Sequence, residues 1–68
     1  MIRITVNGVA SEVAATTVGE LMVTCGIDPK ARFVAVAVNG VVVRRDEWGE
    51  VGLRAGDAVE IVRPLQGG

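Results

Sequence analysis

Leu65-Gln66-Gly67-Gly68, at the C-terminus of the 68-residue chain, is the stretch whose residue types best suit chemistry. Two residues without Cβ atoms extend into a channel too narrow for any side chain. They also leave the terminal carboxylate open to attack from either face. An α-carboxyl group with a pKa of about 3.3–3.7 is ionised at neutral pH and inert until activated. Adenylation by a separate ATP-using enzyme would give it a good leaving group. The nucleophile that follows then sets the product: an amine yields a conjugate, a sulfide or persulfide a thiocarboxylate. Chain ends are also often frayed and rich in small residues. With 9 glycines in 68 residues, a Gly-Gly end arises by chance in under about 2% of such chains. The motif by itself leaves both readings open.

The rest of the composition offers little competing chemistry. There is no His, so the commonest general base and metal ligand is missing. A single cysteine, Cys25, excludes an internal disulfide framework and a thiolate zinc cluster. Neither an acid/base pair nor a nucleophile constellation can be assembled, so no catalytic residue and no metal ligand is assigned. A net charge of −1 argues against a nucleic-acid or anionic-membrane surface. The longest apolar run, Phe33 to Val38, falls far short of a roughly 20-residue membrane span. The N-terminus reads as a strand and not a signal peptide, so a cytoplasmic protein is expected. An adenylated carrier requires none of the missing groups.

The elements that must present this terminus follow from period and punctuation. Ile2, Ile4 and Val6 alternate with Arg3 and Thr5, Asn7-Gly8 supplies a hairpin turn, and Val9 to Ala14 runs back. Thr17-Val18-Gly19-Glu20 fits a capping box in which Thr17 accepts from the Glu20 amide and the Glu20 carboxylate reaches the Thr17 amide. Val18, Leu21, Met22 and Cys25 then form one apolar stripe, predicting a helix near Thr17 to Gly26 with Cys25 in the core. Gly26 is placed for a left-handed cap. Phe33 to Val38 reads as a strand, Asn39-Gly40 as a second hairpin turn, and Val41 to Val43 as its return. Asp46-Glu47-Trp48 reads as a capped turn dropping Trp48 onto the core. Ala58 to Val62 is the last strand, with Val59 and Ile61 on its buried side, and Pro64 ends it. The final strand fits an interior position parallel to the first. The order predicts an α+β β-grasp, or ubiquitin-like, roll: a mixed four- to five-stranded sheet with one main helix on one face. The domain spans 1–64, and 65–68 form a flexible tail.

Several residues carry weaker signals. Leu65, beyond the last strand, has no core to join and is expected to dock in a partner groove. Arg44, Arg45 and Arg63 read as solvated edge charges, with the steering of an acidic partner as the alternative. The sheet face away from the helix is expected to expose part of the Val34 to Val43 aliphatic stock.

In their order along the chain, Ile4-Thr5-Val6-Asn7-Gly8, Thr17-Val18-Gly19-Glu20-Leu21-Met22, Val36 to Arg44, Asp46-Glu47-Trp48, Leu53 to Val62 and Leu65-Gln66-Gly67-Gly68 resemble the ThiS family of sulfur carriers in thiamine biosynthesis. The likeness runs the whole length, though Ala14-Ala15-Thr16 lacks the Gly that many members place before the helix. The resemblance implies that Gly68 is the residue adenylated and thiocarboxylated, with Leu65, Gln66 and Gly67 entering partner active sites. It implies a ThiF-type adenylating enzyme that uses ATP and Mg2+, a sulfur donor enzyme, and the thiazole synthase ThiG as acceptor. No cofactor is bound by the chain itself, which acts as a co-substrate and not an enzyme. A molybdopterin-synthase small subunit or another carrier shares the roll and the Gly-Gly end. A ubiquitin-like binding module with an incidental Gly-Gly is the reading from a different class; it would bind through the sheet face and ignore tail removal.

Overall fold

Two Asn-Gly pairs fold the sheet. Asn7 and Gly8 have φ values of 51° and 83°, and Asn39 and Gly40 of 52° and 83°. Positive φ at both central residues defines the turn whose twist matches that of paired strands. A computed structural model describes residues 1–28 and 30–63. In it the first turn joins β1 (Ile2–Val6) to β2 (Val9–Val13), and the second joins β3 (Ala35–Val38) to β4 (Val41–Val43). The strand β5 (Ala58–Val62) fills the gap between the hairpins, giving the order β2-β1-β5-β3-β4. It runs parallel to β1 and antiparallel to β3, with Val6 opposite Val59 and Ala35 opposite Val62. The expected β-grasp roll and the interior place of the last strand are both present.

The helix α1 (Val18–Thr24) covers one face. Thr17 caps it, accepting from the Glu20 amide at 3.2 Å as the capping box requires. The Glu20 carboxylate departs from expectation: it takes the Thr16 amide at 2.7 Å and the Thr16 hydroxyl at 3.0 Å. These bonds hold the Glu20 carboxyl below the usual glutamate range. Gly26, at φ 78°, ends the helix in the left-handed region. The Gly26 amide bonds the Val23 carbonyl and the Ile27 amide the Met22 carbonyl, the paired closure of a Schellman motif.

Cys25 is exposed, which corrects its expected place in the core. The helix has seven residues, so position i+7 of the stripe falls on its C-cap, beyond the last turn. Ile27, swung inward by the left-handed glycine, takes the space at 5% exposure. The core otherwise matches the stripe and the alternation: Ile4, Val18, Leu21, Met22, Val36 and Val59 are each at most 1% exposed. Gly19 has a role that propensity alone misses. Its amide bonds the Trp48 carbonyl at 2.8 Å, and an added Cβ would stand 3.4 Å from that oxygen.

The turn after β4 is a 3-10 helix over Arg45–Glu47, one residue earlier than expected, and no side chain caps it. It still delivers Trp48 to the core, 5% exposed, with Nε1 donating to the Val43 carbonyl at 3.1 Å. A second boundary also shifts: β3 begins at Ala35 because Phe33 takes φ 63° and leaves the extended region. No described helix is long and apolar enough to cross a membrane.

Candidate functional site

The expected tail residues Leu65, Gln66, Gly67 and Gly68, and Pro64 before them, lie outside the described residues. The structure does describe the strand that leads to them. The Thr5 amide of β1 reaches the Asp57 carbonyl, just before β5, at 3.0 Å, and the Asn7 amide reaches the Val59 carbonyl within β5 at 2.9 Å. Past Asn7 the chain turns away into its hairpin, and the backbone ladder with β1 ends. The Asn7 side chain continues it, its Oδ1 accepting from the Ile61 amide at 2.8 Å. On the other side, Asn39 Oδ1 accepts from the Ala58 amide at 2.9 Å, and Nδ2 donates to Asp57 at 2.9 Å. Sequence reasoning treated these asparagines only as turn formers. They also clamp the strand that leads to residues 64–68, and only their distant partners could have revealed it.

Around the end of β5 the surface is apolar and cationic. Ala35, Ala37, Val42 and Val62, with Glu60, line a depression of about 190 Å³ on the face away from the helix. Val42 is 71% and Val62 65% exposed. Part of the aliphatic stock thus faces outward, as expected. The arginines do not all behave as solvated edges. Arg44 does, making an exposed 3.3 Å pair with Asp46, a contact of little energetic weight. The Arg45 guanidinium lies 4.7 Å over the Trp48 ring and donates to the Ala31 carbonyl, tying the loop after the helix to the turn after β4. Arg63, the residue after β5, is exposed.

Among the described residues, no group of three or more His, Cys, Asp or Glu stands close enough to hold a metal. No buried side-chain polar atom there lacks a partner. The described surface is therefore a platform: a clamped central strand, an apolar depression beside it, and cations near the C-terminal end of β5.

A model of the ThiS family matches residues 4–68, from the first strand through the terminal Gly-Gly. The chain belongs to the ThiS family. The crystal structure of the thiamine biosynthesis protein ThiS from Geobacter metallireducens is 33% identical. It superposes with a TM-score of 0.79, the match covering 98% of this chain and all of that one. A solution structure of a thiamine biosynthesis protein from the same organism is also 33% identical, with a TM-score of 0.78 over 98% of this chain and 88% of that one. No curated protein matches the chain. For this ThiS-family member the β-grasp roll is thus reached twice, from strand order and from its solved relatives.

Proposed function

We propose that this ThiS-family protein is a sulfur carrier of thiamine biosynthesis whose working group is the Gly68 carboxylate, on a tail beginning at Leu65. The family match running through Gly68 carries this reading. A ThiF-type enzyme with ATP and Mg2+ joins the carboxylate oxygen to the α-phosphorus of ATP, releasing pyrophosphate. A sulfide from a sulfur donor enzyme attacks the carbonyl carbon and expels AMP, leaving a thiocarboxylate. A persulfide donor gives an acyl disulfide instead, which a thiol must reduce to reach the same product. The thiazole synthase ThiG then takes the sulfur. Leu65 docks in a partner groove, while Gln66 and Gly67 thread the channel to the reacting atoms. The chain acts as co-substrate, in the cytoplasm where ATP and the activating enzyme meet it.

Intact mass spectrometry after incubation with ATP, Mg2+, the activating enzyme and a sulfur donor tests this. Exchange of one oxygen for one sulfur is expected in the full chain, and none after deletion of Gly68. An unchanged mass beside a control carrier that reacts would overturn the reading in favour of a ubiquitin-like binding module.

A further inference from the structure

Phe33 is 81% exposed and holds φ at 63°. A bulky side chain in the left-handed region is disfavoured locally, and exposing an aromatic ring forgoes its burial. The folded chain accepts both penalties at one residue and gains no packing in return. Phe33 also sits beside the root of the tail. Ala35 pairs with Val62, and Val34, the residue after Phe33, lines one cleft together with Arg63.

Two shallow clefts meet at this place along Ala31, Arg32 and Val34. Lys30, Phe33 and Arg45 line one, and Asp28 and Arg63 the other. Four of the chain's seven cations and one of its eight acids thus gather here, although the whole chain carries a net charge of −1. The remaining surface is strongly acidic, so the molecule presents its positive pole where the tail departs.

Covalent geometry brings a partner to this pole. The five residues after Arg63 reach at most about 18 Å when fully extended. An enzyme that holds the Gly68 carboxylate in its active site must lay its surface within that distance of Arg63, which puts Phe33 and the cations beside it within reach of contact. A protruding aromatic ringed by positive charge fits an apolar recess bordered by carboxylates. It does not fit a bare phosphate, which would leave the ring without a role.

We propose that Phe33, with Lys30, Arg32 and Arg63, forms a docking knob at the root of the tail that enters an acid-rimmed apolar recess on the enzyme that adenylates Gly68. This deepens the carrier reading and rests on it for the identity of the partner. The cations speed encounter through the attraction of unlike charges, and the ring supplies salt-insensitive contact.

Affinity of the full chain for the adenylating enzyme, measured by titration at low and at high salt beside ATP–pyrophosphate exchange, tests the proposal. Lys30→Glu/Arg32→Glu is expected to weaken binding about tenfold or more at low salt, an effect that shrinks toward wild type near 1 M salt, where the Debye length is about 3 Å. Phe33→Asn, which tolerates positive φ, is expected to weaken binding about tenfold at every salt concentration. In exchange, both variants raise KM for the carrier and leave kcat unchanged. Arg54→Glu, at the opposite end of β5, stays within about twofold of wild type. Wild-type affinity and KM in both docking variants would overturn the knob while leaving the carrier reading standing. Salt-dependent binding that needs Phe33, without pyrophosphate exchange, would support the knob and remove the carrier reading.

Discussion

Phe33 is the residue at which local preference and the folded state disagree most. Its left-handed φ of 63° and 81% exposure mean that a glycine there loses almost no burial and escapes the Cβ clash. Phe33→Gly is therefore expected to stabilise the fold by about 1 kcal/mol, the relief of strain exceeding the added entropy of the unfolded chain. In a domain of this size that raises Tm by about 4–8 °C. Calorimetry checks it, and an unchanged or lower Tm would show that the φ value carries no strain. Stabilisation combined with weakened docking would mark Phe33 as a residue kept for contact at the expense of stability. Cys25 teaches the converse lesson. Its apolar character and spacing pointed inward, but one residue of helix length decided its environment.

At the scale of the elements, the helix start carries a titratable brace. The Glu20 carboxylate is held by the Thr16 amide, then by the Thr16 hydroxyl, with the Thr17 amide adding less. Because its folded pKa lies below the unfolded one, the ionised brace stabilises the fold above the unfolded value and is lost as pH falls through the folded one. Glu20→Gln is expected to lower the urea midpoint at neutral pH and to converge with wild type once acid has protonated the carboxyl in both states. A gap between the two that persists at low pH would show that charge is not what the brace contributes. The helix end depends on no charge at all: its carbonyls are closed by the Gly26 and Ile27 amides.

At the scale of the whole molecule, one side chain joins the first hairpin to the last strand. Asn7 sets the turn with φ 51° and receives the Ile61 amide from 54 residues away. Asn7→Ala places a Cβ residue without turn-forming groups at positive φ and strips a partner from a half-buried amide, a combined cost of about 2 kcal/mol. Asn7→Asp keeps both the acceptor and the tolerance of positive φ and is expected to lose less. Denaturant unfolding of the two variants measures the difference, and equal losses would mean that the turn alone matters. Amide exchange at Ile61 should rise in the alanine variant, since this bond clamps the strand that leads to the tail.

Local chemistry was enough to read the two hairpins, the capped helix start and its left-handed end, because each signal acts within a few residues through allowed φ values and nearby amides. The proposal for Gly68 likewise starts from local chemistry, since a glycine has no Cβ to crowd its carboxyl group. The fold class followed from counting elements and asking what one helix can cover. Other features needed the chain to close on itself. Asn39 meets Asp57 across 18 positions and Asn7 meets Ile61 across 54. Ile27 displaces Cys25 from the core, Arg45 lies on Trp48, and Phe33 stands out beside scattered cations that share one pole. These are choices between partners far apart in sequence, made by competition for limited core volume and for unpaired backbone groups, and no local pattern encodes who wins.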